Sequence, residues 1–274
     1  MLKKISLLLI VLFFAAGLGF SKTASAHGYT YWTSTSKVGF SHFYYNEGLD
    51  NDSGTQYSFI QRFNYHNNLL LVVLRGSAGY TPSTYNGSFT NGTPLTADVD
   101  YKNWSVLGGI GIDPRILSGR MQNQLYVSLS ENNMTWMAGN VSGGYDENYN
   151  VKYLGINYKN IYAVTSKLST VVGLSLYKGI DGTVLVTNYP LYVGVPSESV
   201  GETLGGEWKY GAKIGARYRI NDNVSVTADL LYNHFFFDQS NDVYFYNGSG
   251  YTYLHEPSSN TYEEGLEIGL HVAF

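Results

Sequence analysis

The chain has 274 residues, a formal net charge of −4 and no cysteine. That leaves no disulfide stapling and no thiol chemistry, and it argues against a basic surface for nucleic acid. With 26 Tyr and 31 Gly but only 14% charged residues, the chain is also short of charge for an ordinary solvated surface.

The first segment reads as a secretory signal peptide. Lys3 and Lys4 precede an apolar run from Ile5 to Phe20, and "SKTASA" sets Ala24 and Ala26 before a cleavage point after Ala26. Cleavage removes Lys3, Lys4 and Lys22 and no acid, so the mature domain, 27–274, is more acidic than the whole chain. No second apolar run is long enough for a transmembrane helix. His27 becomes the first residue; a terminal His can chelate copper, but no partner is placed beside it, and no cofactor or metal is expected.

From there on helical periodicity is missing and alternation with period two dominates. Ten strands are expected, at about 36–46, 56–66, 69–81, 103–113, 124–137, 150–162, 168–178, 207–220, 224–237 and 262–274. In the second, Tyr57, Phe59, Phe63 and Tyr65 oppose Ser58, Arg62, Asn64 and His66. In the eighth, "WKYGAKIGARYRI", Trp208 through Ile220 oppose Lys209, Gly211, Lys213, Gly215, Arg217 and Arg219. The sixth changes its apolar parity near Tyr153–Leu154, which points to a bulge there or to a misplaced strand boundary. "HNN" at 66–68 and "NDN" at 221–223 read as tight turns, with 113–122 and 163–167 somewhat longer. Long polar links are expected near 46–56, 82–102, 139–149, 179–206 and 238–261, with "IDGT" at 180–183 as a hairpin tip.

Such a layout fits an exported β-sandwich or a membrane barrel, and the faces choose between them. The polar faces are Gly, Ser and Asn with isolated charges, suited to a crowded interior. The apolar faces carry Tyr, Trp or Phe near strand ends, where an aromatic girdle sits. The chain ends on "LEIGLHVAF": Leu266, Ile268, Leu270, Val272 and Phe274 on one side, Glu267, Gly269, His271 and Ala273 on the other. This stripe resembles the β-signal of Gram-negative outer-membrane proteins. The resemblance implies that the barrel assembly machinery reads the last strand. The expected fold is all-β: one transmembrane, antiparallel, up-and-down β-barrel of about ten strands in the outer membrane. Its partners would be outer-membrane lipid, lipopolysaccharide and a possible extracellular ligand, with no nucleic acid.

Inward charges are the first candidate site. With the turn at 221–223, Gly215 opposes Asp229 and Arg217 opposes Thr227, so Lys213 and Arg217 lie diagonal to Asp229. Arg62, Arg75, Arg219, Glu267 and His271 are expected to point inward with them. These groups form either an ion-pair network filling the barrel or the lining of a narrow pore for small solutes. About ten strands favour a filled interior. The rim candidates are His234 and Asp238 on the ninth strand and His255 and Glu256 in the last long link. Ten strands with acidic and His residues at the rim are similar to the omptin proteases, but the paired Asp–Asp and Asp–His motifs have no counterpart. The His–Ser–Glu set of lipid A deacylases is not singled out by spacing either. The leading expectation is a structural or surface-interaction barrel or a narrow porin, with an outer-membrane protease or lipid A hydrolase as the alternative. Tyr- and Asn-rich stretches such as "VYFYNGSGYTY" offer rigid amphipathic contact surface.

Overall fold

A computed structural model describes residues 30–48, 50–88, 93–114, 120–138, 145–187, 200–246 and 251–274. The signal-peptide segment and His27 lie outside the described residues. Thirteen strands run through the described residues: β1 (Thr30–Glu47), β2 (Asp50–Asn67), β3 (Leu70–Ser88), β4 (Pro94–Ile112), β5 (Met121–Met137), β6 (Asp146–Ala163), β7 (Leu168–Thr187), β8 (Val200–Thr203), β9 (Glu207–Arg219), β10 (Val224–Phe237), β11 (Val243–Tyr246), β12 (Tyr251–Leu254) and β13 (Ser259–Ala273). All but β8, β11 and β12 close into one antiparallel ten-stranded barrel, as expected. β8 pairs with the far part of β7, and β11–β12 is a separate hairpin. The barrel closes where β1 pairs with β13 from Thr33↔Ala273 to Asn46↔Asn260. Trp32 and Phe274 exchange both backbone hydrogen bonds there, each 2.9 Å. Closure leaves no free edge, which is how a sheet satisfies its backbone groups in lipid.

The outer face carries an apolar belt that includes Val38, Leu74, Ile110, Leu129, Ile156, Leu174, Ile214, Leu230 and Leu270. Aromatic residues stand at its ends, among them Trp32, Tyr57, Tyr80, Tyr162, Trp208 and Tyr218. Above the belt the same face turns charged at Lys102, Lys152, Asp181 and Glu264. The turns at 68–69, 164–167 and 220–223 lie at the opposite, lower end, while at the upper end β1 passes to β2 through Gly48 at φ 60°. One lower turn is pinned by Asn68 at φ 53°, a left-handed conformation that Asn tolerates. Another is pinned by Asn221, whose Oδ1 accepts from the Asn223 and Val224 amides at 3.0 and 2.8 Å.

The strands run farther than their apolar pattern suggests. A barrel strand needs about 9–11 residues to cross a bilayer; β7 has 20 and β9 has 13. Much of 46–56, 82–102, 139–149, 179–206 and 238–261, expected as links, is therefore strand. Above the belt the outer face is polar, so alternation no longer contrasts apolar with polar. The expected hairpin tip at 180–183 is also absent, because β7 passes straight through it. Its glycines serve close approach instead of turning: a Cβ at Gly179 or Gly182 would collide with the Glu207 carboxylate. A bulge is present, but on β7 and not on β6: Ile180 is the extra residue, while buried and less buried residues keep alternating along β6 from Glu147 to Asn157. The β6–β7 register shifts between Lys152 and Tyr153, so Lys152 faces Asp181 and Tyr153 faces Gly179.

Side chains crowd the lumen in layers, with cavities of about 150 and 140 Å³ left between them. Tyr126, Leu71 and Val73 lie low. Val151, Tyr153, Tyr177, Val184, Val186, Leu204 and Phe237 extend the same apolar cluster upward. Charged groups occupy mid-height between them.

Candidate functional site

Two sets of titratable side chains lie inside the barrel, one at belt height and one above it. In the belt set, Asp229 on β10 stands directly across from Glu267 on β13, and Gly215 faces Asp229 from β9. Lys37 on β1 donates to Asp229 and, at 2.9 Å, to Glu267. Lys213 donates to Glu267 at 2.6 Å and lies 4.0 Å from Asp229. Two lysines thus hold two carboxylates that would otherwise repel across the sheet.

The sequence pattern brings Lys213, Asp229 and Glu267 together but misses Lys37, the closest partner of Asp229. The available signal was that Lys37 shares the polar face of "TSTSKVGF" while Val38 and Phe40 face out. Arg217 makes no ion pair with Asp229 among the described residues. Arg219, expected inward, is exposed at the lower rim, because the strand ends there and the lumen with it. His271 is buried, its Nδ1 2.8 Å from Thr35 Oγ1. Arg62 is held at Nε by Asn64 Oδ1 at 2.7 Å, and Arg75 lies beside it across the strand. Lower still, His66 meets Asp113 at 2.6 Å and stacks on Tyr31 at 4.2 Å, a pair that sequence reading did not single out.

The four rim candidates separate. His234 faces outward within the aromatic girdle, stacked on Tyr262 at 4.4 Å and edge-on to Tyr210 at 4.8 Å. Asp238 is exposed. His255 sits 3.2 Å from Asp242 beside the β11–β12 hairpin. Only Glu256 enters the barrel. The four rim candidates therefore do not converge, since alternate residues of a strand or extended link point to opposite faces.

Glu256 joins a vestibule above the belt that the sequence did not announce. It is assembled from strand ends far apart in the chain: Glu47 on β1, Asp52 on β2, Tyr101 on β4, Glu147 and Tyr149 on β6, and Glu202 on β8. Tyrosine hydroxyls satisfy the carboxylates. Tyr45 donates to Glu47 at 2.6 Å, Tyr101 to Asp52, and Tyr149 to Glu147 at 2.6 Å and to Glu256. Glu202 accepts from Ser240 Oγ at 2.5 Å and from the Glu256 amide at 2.7 Å. Among the described residues no Lys, Arg or His pairs with Glu47, Asp52, Glu147, Glu202 or Glu256.

Burial, with the neighbouring carboxylates adding to it and the tyrosine hydroxyls opposing it, lifts these acids. Asp52 rises to about 6, Glu47 to about 7 and Glu147 to about 8, and Glu256 rises well above its usual range. Beside them opens a cavity of about 50 Å³, walled by Tyr85, Trp136 and Tyr145 as well as Asp52 and Glu147. Asp52 is 2% exposed, yet its Oδ1 has no hydrogen-bond partner. Carboxylates beside aromatic faces suit an organic cation that donates hydrogen bonds. Among the described residues no cluster of three or more His, Asp or Glu is arranged to hold a metal ion.

No protein-family model matches the sequence, and no curated protein matches it. Solved structures do. The outer membrane protease OmpT from Escherichia coli superposes with a TM-score of 0.63 at 10% identity, covering 92% of this chain and 99% of that one. The fold is that of an outer-membrane β-barrel. The translocator domain of the autotransporter NalP from Neisseria meningitidis matches at a TM-score of 0.44 and 10% identity, covering 95% of this chain and 92% of that one. Neisserial surface protein A matches at 0.37 and 13% identity, covering 89% and 97%. At such identities the likeness is one of architecture and assigns no chemistry.

Proposed function

We propose that this barrel is an outer-membrane protein that works at the cell surface, with a closed lumen and a vestibule that receives a cationic group of an extracellular ligand. The proposal includes export through the signal peptide of residues 1–26. It also includes recognition of Leu266, Ile268, Leu270, Val272 and Phe274 by the assembly machinery, and surroundings of lipid and lipopolysaccharide. The observation that carries it is the crowded lumen: the Asp229–Glu267–lysine network and the apolar cluster above it project into the space a porin would leave open, with cavities of about 140 and 150 Å³ between them. With transport disfavoured, the vestibule is the recessed polar surface left to the outer end, and its acids and aromatic walls set the sign of the ligand.

Catalysis has less support. The carboxyl pair Glu147 and Glu256 shares the Tyr149 hydroxyl, but His234 and His255 stand elsewhere. The test combines two measurements on the purified barrel. Planar-bilayer conductance is expected near zero. A small primary amine such as putrescine is expected to bind by calorimetry, and Asp52→Asn to abolish that binding. Stable single-channel steps would make the protein a porin. Absence of amine binding at any pH between 5 and 9 would remove the vestibule assignment.

A further inference from the structure

Two like-charged pairs at belt height are treated differently. Asp229 and Glu267 face each other in register and are neutralised by Lys37 and Lys213. Arg62 and Arg75 also face each other in register, across β2 and β3. Among the described residues no carboxylate comes within ion-pair distance of either arginine, nor of Lys159 on β6. Arg62 Nη2 and Arg75 Nε are buried without a hydrogen-bond partner. Tyr126 holds the Arg62 guanidinium over its ring, 5.4 Å from the centroid.

Arg62, Arg75 and Lys159 line one internal cavity of about 140 Å³, together with Asn157, Tyr126 and the Lys37, Lys213, Asp229 and Glu267 network, so its lining carries more cations than carboxylates. The volume is well above the roughly 10–15 Å³ that one water requires. A buried lysine can shed its proton, but a guanidinium in a protein does not, so the arginine pair cannot escape its charge by titration. Like charges directly opposite on neighbouring strands destabilise the pairing. A buried charge needs a partner of opposite sign; the carboxylates that share this cavity, Asp229 and Glu267, are held by Lys37 and Lys213 and form no ion pair with either arginine.

We infer that the cavity binds a small inorganic oxyanion of the phosphate or sulfate class, gripped by Arg62 and Arg75 with Lys159 opposite. The planar fork of a guanidinium matches an oxyanion in two-point contact. The cavity lies inside the barrel wall at belt height, so a lipid headgroup outside cannot reach it and the ligand is a free ion. The ion completes the charge pattern: two lysines between two carboxylates on one side, one anion between two arginines on the other.

The test uses the full chain refolded from urea into detergent, with inorganic phosphate or with chloride at equal ionic strength. Phosphate is expected to raise the midpoint of heat unfolding by several degrees over chloride, as a ligand of the folded state does. Equilibrium dialysis with labelled phosphate is expected to retain roughly one ion per chain. Arg62→Gln and Arg75→Gln should lose both effects, and in chloride they should melt no lower than the parent, because each relieves a repulsion. If neither refolds, Lys159→Met is the substitute, with phosphate retention weakened at least about tenfold. Equal midpoints with no retained phosphate, or retention unchanged in the variants, overturn the inference. Conductance is read separately: a conducting barrel that retains phosphate sinks the closed-lumen reading alone, and a silent barrel without phosphate sinks this one alone.

Discussion

Replacing Asp229 by Ala probes whether the lumen is dry packing or hydrated channel. Asp229 is 3% exposed and accepts from Lys37, with Lys213 4.0 Å away. Its loss leaves Lys37 and Lys213 to share Glu267 alone, in a layer that already holds Arg62, Arg75 and Lys159. Removing one member of a buried pair costs about 3–5 kcal/mol, mostly by stranding the other charge. The same loss in water-filled surroundings costs about 1 kcal/mol or less, as at exposed pairs. Urea unfolding in lipid vesicles, followed by tryptophan fluorescence, separates these values. Asp229→Asn should recover part of the loss, because an amide still accepts a hydrogen bond. Lys37→Met combined with Asp229→Ala should cost less than the sum of the two single changes, since the stranded charge is gone. A loss below about 1 kcal/mol with additive single effects would refute the dry-network argument. A stable variant with altered ion conductance would do so as well.

The vestibule predicts an acid-favoured stability profile. Glu47, Asp52 and Glu147 have folded values raised to about 7, 6 and 8. Their contribution is complete below the ordinary carboxylate range and is lost as pH rises through about 6 to 8. The unfolding free energy should therefore fall between pH 5 and 8.5 by on the order of a few kcal/mol, lowering the heat-unfolding midpoint, and Glu147→Gln should flatten the slope. A midpoint that rises over that interval contradicts the assignment. On the last strand, Leu270→Asp places a charge on the apolar belt and should cost up to about 2–4 kcal/mol and lower assembly. His271→Ala loses only one hydroxyl contact and should be milder; similar behaviour of the two variants would overturn the face assignment.

The sequence by itself determined the barrel. Period-two alternation, aromatic strand ends and turn residues are local, so ten strands and the turns expected at 66–68 and 221–223 were legible from neighbours in the chain, whereas the bulge expected on β6 lies across from it at Ile180 of β7. The register across one tight turn also sufficed to set Asp229 against Gly215. Where the outer face left the apolar belt the contrast vanished, and strand extensions read as links. What only the tertiary structure decided were contacts between strands far apart in the chain. Closure brings β1 beside β13, and that alone delivers Lys37 to Asp229 across 192 positions of sequence separation. It likewise gathers Glu47, Asp52, Glu147, Glu202 and Glu256 into one vestibule, while the outward turn of His234 leaves it in the aromatic girdle. Glu47 and Asp52 share one polar stretch and Glu147 follows Asp146, but Glu202 and Glu256 lie far along the chain from them. An acid by itself carries no sign of which acid or base will face it, because its partners depend on how the cylinder closes.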